Sequence, residues 1–297
     1  MQTTKAETTP KSTQAIAFLF YLIGGLLIFL LGANTFKLFP TNKNTLYEWG
    51  LTMLLLLLAV IMQRVVLLRI YAKIAGVLFI ASAGNAINLA LGNFLKPILH
   101  LNISAMQDLA IDKLSQAVPI VLAIILLSLW FGDDLGALFL KKGNLRQGLK
   151  FGLISFGVFT VIFIVIVLIQ ANAPKTQGFF ASGVSLGTVV AAIPWILLFC
   201  FTNSLMEELW FRGVSLRKLT PLLGWVPSII VTALVFGATH SAATYITSFQ
   251  MIFFAIIVIA LGLVNAYVML KTDSIWGSVF FHAGYDLLVI LPLLVQQ

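Results

Sequence analysis

Long apolar runs separated by short polar segments dominate the hydrophobic pattern of this 297-residue chain. We expect membrane-crossing helices in these runs, since about 20 apolar residues span a bilayer. The second run is short, and the third contains two asparagines. The predicted spans are residues 15–33, 50–63, 74–91, 117–131, 148–170, 187–219, 226–241, 249–270 and 275–294. The pattern therefore predicts an all-α, polytopic transmembrane bundle of about nine spans.

The composition indicates the same class of protein. Hydrophobic residues make up 60% of the chain and charged residues 9%, whereas a soluble domain carries about 25% charged residues. The net charge is +8, but most basic residues lie in short loops between apolar runs, and no basic cluster is interleaved with exposed aromatic residues. We therefore expect the protein to lie in a lipid bilayer, with its basic residues as topology signals, and we expect no nucleic-acid partner.

The loop charges also predict an orientation. With the N-terminus in the cytoplasm, 13 of the 18 Lys and Arg residues fall in inner segments. Such a bias follows the positive-inside rule. We expect a multi-pass membrane protein with a cytoplasmic N-terminus, in the cell membrane if the source is a bacterium. The pattern predicts no oligomeric state.

One stretch of the sixth span, residues 202–212, places two acids and an arginine in a membrane-buried helix. A charge at the bilayer centre costs about 2.5–3.5 kcal/mol, so these side chains require pairing, hydration or a function. Glu208 and Arg212 are four residues apart, which predicts an ion pair on one helix face. Glu207 lies about 100° round the helix, where Asn203 could donate a hydrogen bond to it. Two interpretations remain: a working acid beside a structural pair, or a structural pair with a spare acid at the headgroups.

Two further polar islands occur in the last third of the chain. His240 ends the seventh span, and His282 and Asp286 lie four residues apart within the ninth. Counted from the predicted inner ends of their helices, Glu207 and His240 are both about 20 Å deep, and His282 is about 12 Å deep. The sequence therefore permits one cluster that opens toward the cytoplasm.

These islands resemble three motifs of the CPBP family, the group of CAAX prenyl proteases type II, Abi proteins and lysostaphin-resistance-protein-A-like proteins. The matching residues are Glu207-Glu208 with Arg212 for E-E-x-x-x-R, Phe236 with His240 for F-x-x-x-H, and His282 with Asp286 for H-x-x-x-[ND]. Gly262-Leu263 through Trp276 is similar to the segment before the last motif, and Asp134-Leu135-Gly136 resembles the opening of the domain. The resemblance covers residues 133–292 and leaves residues 1–132 as an N-terminal transmembrane region of unassigned role.

The resemblance implies a C-terminal intramembrane protease core that cleaves a hydrophobic or lipidated peptide near the cytoplasmic face. It gives Glu207 and His240 the catalytic positions that activate water, with Glu208 and Arg212 as motif partners. It implies that His282 and Asp286 stabilise the oxyanion that forms during hydrolysis. The family more often has an amide at the last position, and an ionised aspartate cannot donate a hydrogen bond. Asp286 must therefore be protonated or orient His282, and we favour the orienting role.

A second chemistry fits the same residues. Glu207, His240 and His282 are a His₂Glu zinc set with an open fourth position, and the family has been classed as metallopeptidases. The sequence does not decide between a glutamate-dependent and a zinc-assisted endopeptidase.

Two alternatives to an enzyme stay open at this point. The chain could be a catalytically idle membrane scaffold, or a peptide-binding or immunity protein, which the intact motif set disfavours. A proton-coupled transporter would also need intramembrane acids and histidines. That function predicts related halves or paired broken helices, which the sequence does not show.

Overall fold

The structure is a computed structural model that describes residues 9–32, 40–102, 105–172, 186–244 and 248–291. It is 88% helical, and no strand occurs in these ranges. The α-helices are α1 Lys11–Leu26, α2 Thr41–Arg64, α3 Ala72–Leu91, α4 Leu95–Leu99, α5 Met106–Trp130, α6 Leu145–Asn172, α7 Leu186–Glu207, α8 Leu216–Leu223, α9 Trp225–Thr244, α10 Ser248–Thr272 and α11 Trp276–Ile290. The all-α class predicted from the apolar runs is confirmed.

Within the described ranges, seven helical stretches are long and apolar enough to cross a membrane, by length and composition. They are Lys11–Leu31, Asn44–Arg64, Val66–Leu99, Met106–Trp130, Leu145–Ile169, Gly187–Leu223 and Phe254–Thr272. The remaining two predicted spans correspond to shorter helices, the apolar stretch Trp225–His240 of α9 and the 15-residue α11. The protein is therefore an integral membrane protein, and the predicted count of about nine spans is approximate. The cytoplasmic N-terminus stays a prediction.

The chain divides into two compact units. The first consists of Met1–Ser82 and Val214–Leu263, and the second of Ala83–Gly213 and Val264–Gln297. The boundary predicted between residues 132 and 133 marks where the resemblance to the family begins, and the two units are defined by contacts within the fold. The predicted boundary therefore stays a prediction.

In the first unit, α1 packs against α8 and α9. Helix α2 buries a glutamate, Glu48, completely, with its carboxyl group against Gly32. One turn later, the hydroxyl oxygens of Thr52 and Ser82 are 2.8 Å apart. The sequence predicts no chemistry in this region, so the buried acid of α2 is a finding of the structure.

In the second unit, α11 packs against α6 and α7, and α5 packs against α7. Helices α6 and α11 approach closely at glycines, because a Cβ atom on Gly152 would lie 2.8 Å from the carbonyl oxygen of Gly277. Such small residues let two membrane helices bring their backbones together. A buried apolar cluster of α5, α6, α7 and α11 residues, which includes Ile196, Cys200 and Leu287, holds these four helices together.

The loop before α11 is attached to the loop before α6. Ile275 N donates to Phe139 O at 3.0 Å, and Lys141 forms a salt bridge with Asp273. Gly143 has a φ of +48°, and a Cβ atom there would collide with the carbonyl oxygen of Asp273. These contacts set the position at which α11 begins.

Helix α7 ends at Glu207, and the next six residues, Glu208–Gly213, form a π-helical turn that is fully buried. The predicted sixth span, residues 187–219, therefore does not continue as a regular α-helix to its end. Single π-helical turns occur frequently at functional sites. This turn widens the helix directly after the first of the two adjacent acids.

Candidate active site

One carboxylate oxygen, Oε1 of Glu208, is the centre of the polar cluster in the second unit. It lies 2.6 Å from Arg212 Nη1, 2.9 Å from Asn265 Nδ2 and 2.7 Å from His282 Nδ1. Glu208, Arg212 and Asn265 are completely buried, and His282 is 2% exposed. The predicted ion pair between Glu208 and Arg212 is present. It is part of a larger arrangement, because three side chains from three segments meet at the same oxygen.

These contacts determine which nitrogen of His282 carries a proton. A guanidinium and an amide NH₂ can only donate, so Oε1 of Glu208 is an acceptor. The third contact therefore requires that Nδ1 of His282 donate its proton to the same oxygen. A carboxylate that accepts from one ring nitrogen fixes both the protonation site and the direction of the other nitrogen.

The second ring nitrogen of His282 faces two other acids. Nε2 lies 3.6 Å from Oε2 of Glu207 and 3.5 Å from Oδ1 of Asp286. The side chain of Glu207 is 12% exposed, whereas that of Glu208 is fully buried. Glu207 is therefore the more accessible of the two adjacent acids, and the imidazole lies between them.

Asp286 receives its hydrogen bonds from α7. Asn203 Nδ2 lies 3.1 Å from Asp286 Oδ2, and Ser204 Oγ lies 3.1 Å from the same oxygen. The Ser204 hydroxyl is also 2.6 Å from the carbonyl oxygen of Cys200, so its single proton is shared between two acceptors. The sequence permits a hydrogen bond from Asn203 to Glu207, but in the structure the amide NH₂ of Asn203 donates to Asp286.

The orientation of His282 also differs from the prediction. The sequence assigns this task to Asp286, four residues away on α11. In the structure the short contact to the ring is made by Glu208 at Nδ1, and Asp286 is farther away, on the Nε2 side. A spacing of four residues brings Asp286 near the ring, but the shorter bond comes from the π-helical turn.

His240 belongs to the first unit, where it lies on α9. Its Nδ1 is 2.9 Å from the carbonyl oxygen of Phe236, and the two rings are 4.1 Å apart between centroids. A carbonyl oxygen only accepts, so His240 also carries its proton on Nδ1. The predicted grouping of His240 with Glu207 and His282 involves both units and stays a prediction.

Three polar residues of the cluster are not among the predicted site residues. Ser204 contacts Asp286, and Asn265 contacts Glu208. Ser278 Oγ donates to the carbonyl oxygen of Asn265 at 2.9 Å. All three are completely buried. The signal that could have found them is a lone polar residue inside a predicted membrane span, where such residues are expensive and often functional.

Within the described ranges, no group of three His, Cys, Asp or Glu side chains is placed so as to hold a metal ion. The zinc set predicted from Glu207, His240 and His282 includes residues of both units, so it stays a prediction.

Comparison with known proteins adds an independent finding. Residues 189–288 match the family described as Rce1-like, "Type II CAAX prenyl endopeptidase Rce1-like". All seven predicted site residues, from Asn203 to Asp286, fall in this range. No curated protein and no solved structure matches the chain. The match therefore covers 100 of the 160 residues of the predicted protease core, 133–292, and does not extend to residues 133–188 or 289–292.

Proposed function

From the match of residues 189–288 to the Rce1-like family, we propose that the chain is an intramembrane protease of the CPBP type that hydrolyses a peptide bond near the cytoplasmic membrane face. The observation that carries the proposal is the position of Glu207. Its side chain is 12% exposed, and its buried Oε2 lies 3.6 Å from Nε2 of an imidazole whose other nitrogen is held by Glu208. An acid with a partly exposed side chain beside an oriented histidine is an arrangement suited to general base catalysis.

In the proposed reaction, Glu207 takes a proton from a water molecule while the water oxygen attacks the carbonyl carbon of the substrate peptide. The carbonyl π electrons move to the oxygen and give a tetrahedral oxyanion. When the C–N bond breaks, the proton held by Glu207 passes to the leaving amine. The products are a free carboxyl end and a free amino end, and Glu207 returns to its starting state.

The oxyanion needs a donor aimed at it, and Nε2 of His282 is our candidate. Nδ1 already donates to Glu208, so Nε2 must carry a second proton for this task. The resulting imidazolium would be surrounded by Glu207, Glu208 and Asp286, and a buried charge is tolerated when it is paired in this way. Asp286 accepts hydrogen bonds from α7. We therefore propose that it positions the charged imidazole of His282 and does not itself donate a hydrogen bond to the oxyanion.

The family resemblance gives His240 the second catalytic position, and we retain it as a partner of Glu207 in activating water. The substrate class that suits a site on membrane helices is a hydrophobic or lipidated peptide, or the end of a membrane-embedded helix. A prenylated peptide is the first probe, because the matched family is described as a prenyl endopeptidase family.

The test uses the purified full chain in lipid nanodiscs with two fluorogenic peptides of one sequence, one farnesylated and one without lipid. The wild type should cleave at least one peptide. Glu207→Gln should lose about 10²–10⁴-fold in rate, the usual contribution of a general base, and should keep the melting temperature. Asp112→Asn is the matched control, because it removes a membrane acid that lies 8% exposed on α5, outside the matched range. The control should cleave at the wild-type rate.

Three results would change the conclusion. A wild type that hydrolyses neither peptide, with no precursor accumulating in membranes of a Glu207→Gln strain, would favour the idle scaffold. Equal rates for wild type and Glu207→Gln would remove Glu207 from the reaction. Loss of activity on chelation, with recovery on adding zinc, would favour the metal-assisted chemistry.

A further inference from the structure

Asn265 lies on α10 in the second unit and is completely buried. Its side chain donates to Oε1 of Glu208 at 2.9 Å. Its backbone oxygen accepts from Ser278 Oγ at 2.9 Å. The same residue therefore contacts the π-helical turn through its side chain and α11 through its backbone.

These contacts form a closed ring. Ser278 and His282 are four residues apart on α11, so they lie on one helix face. Ser278 binds the backbone of Asn265, His282 binds Glu208, and Asn265 binds Glu208 at the oxygen that accepts from His282. A shift of α11 by one turn would break two of these bonds at once. The ring therefore fixes the carboxyl group of Glu208 relative to the imidazole.

The ring is not optimised for stability. Within the described ranges, Oδ1 of Asn265 and Oε2 of Glu208 are buried and have no hydrogen-bond partner. An unsatisfied buried acceptor destabilises the folded state, whereas an apolar side chain of the same shape would carry no such penalty. A position selected only for packing would therefore be apolar. The amide of Asn265 therefore contributes its bond to Glu208 rather than optimal packing.

We propose that Asn265 is a positioning residue, which directs the carboxyl group of Glu208 so that this group holds Nδ1 of His282 and aims Nε2 at the reacting atoms. The catalytic consequence rests on the proposed endopeptidase function. The effect on the imidazole does not, because it follows from the contacts alone. The proposal can therefore be tested with and without a substrate.

The key variant is Asn265→Leu, which removes the donor and the unsatisfied oxygen and keeps a similar volume. It should retain or raise the melting temperature. It should lower kcat by about 10–100-fold, the range found when a partner that orients a metal-bound histidine is removed, and leave KM nearly unchanged. Ser278→Ala is the matched control, because it removes the bond to the backbone of Asn265 and keeps the donor to Glu208. It should cost less than Asn265→Leu in kcat.

The second readout needs no activity. The chain has three histidines, so ¹⁵N-histidine labelling gives few imidazole signals, and His100→Gln and His240→Gln assign them. In the wild type, Nδ1 of His282 should be protonated and hydrogen-bonded. In Asn265→Leu this signal should shift or broaden, while the His240 signal stays in place. In Ser278→Ala the His282 signal should be closer to the wild type.

Each outcome has a defined meaning. Unchanged kcat and an unchanged His282 signal in Asn265→Leu would overturn the proposal. A loss of kcat in proportion to a lower melting temperature would show a structural role only, and would also overturn it. If Asn265→Leu does not fold, Asn265→Asp replaces the donor by an acceptor of the same shape and must show the same two changes. If the His282 signal shifts in Asn265→Leu while the wild-type protein cleaves nothing, the positioning role would be supported and the proposed function refuted.

Discussion

The regions around His240 on α9 and His282 on α11 hold their imidazoles in the same way but with different partners. Each ring donates from Nδ1, His240 to the backbone oxygen of Phe236 and His282 to the side chain of Glu208. The first acceptor is part of the helix to which the histidine belongs. The second comes from the π-helical turn after α7, 74 residues away in sequence.

This difference indicates how each histidine responds to change. No substitution at residue 236 removes the backbone oxygen that holds His240, so this contact survives as long as α9 does. The contact of His282 depends on a carboxyl group that Arg212 and Asn265 also bind. His282 should therefore be the more sensitive of the two rings, and it is the one that the surrounding side chains can tune.

The largest effect should come from Glu208→Gln. This change removes the negative charge 2.6 Å from Arg212 at a completely buried position, and breaking a buried ion pair costs about 3–5 kcal/mol. Melting temperature and cleavage should fall together, and the Nδ1 signal of His282 should change while that of His240 does not. Arg212→Gln should lower melting temperature and cleavage in the same way, because it breaks the same ion pair. A Glu208→Gln protein as stable as the wild type would contradict the role of this pair.

A smaller effect is expected from Asp286→Asn, which acts on the Nε2 side of His282. The family resemblance places an amide at this position, and an amide can donate to an oxyanion. We expect the cleavage rate to fall by less than about 10-fold, which is below the range found when a partner that orients a metal-bound histidine is removed. The Nδ1 signal of His282 should be unchanged. Steady-state kinetics and ¹⁵N spectra check this. A complete loss of cleavage would show that the charge of Asp286 is required.

The smallest effect should come from Phe236→Leu, which tests the other half of the comparison. The variant removes the ring beside His240 and keeps the backbone oxygen. The loss of buried apolar volume should cost about 1–2 kcal/mol, since each buried CH₂ is worth about 0.8 kcal/mol. Chemical denaturation measures that cost, and the Nδ1 signal of His240 should persist. Loss of the signal would mean that the ring, and not the backbone oxygen, holds His240.

The helices were the easier part to predict from sequence, because apolar length alone identifies a membrane span. The runs around residues 15–33 and 148–170 coincide with long helices of the structure. The π-helical turn at Glu208–Gly213 could not be predicted, because its residues are as apolar as those of the α-helix before it, apart from the charged pair. An α-helical spacing rule still found the pair of Glu208 and Arg212, since the two side chains reach each other in either geometry.

Sequence spacing named some of the residues of the polar cluster, but it did not give most of the contacts between them. Spacing rules relate residues one turn apart, so they find Arg212 for Glu208 and Asp286 for His282. They cannot find Asn265 or His282 as partners of Glu208, because 57 and 74 residues separate these pairs. For the same reason, Asn203 was assigned to Glu207, four residues away, when its donor is directed to Asp286 on another helix.

The most direct test of the central claim, that Glu207 activates water for peptide hydrolysis, is cleavage of the farnesylated peptide in H₂¹⁸O. Mass spectrometry of the wild-type reaction should show one ¹⁸O atom in the new carboxyl end. An equal amount of Glu207→Gln, folded to the same melting temperature, should form labelled product about 10²–10⁴-fold more slowly, and Asp112→Asn should give as much as the wild type. Labelled product from Glu207→Gln at the wild-type rate would contradict the claim.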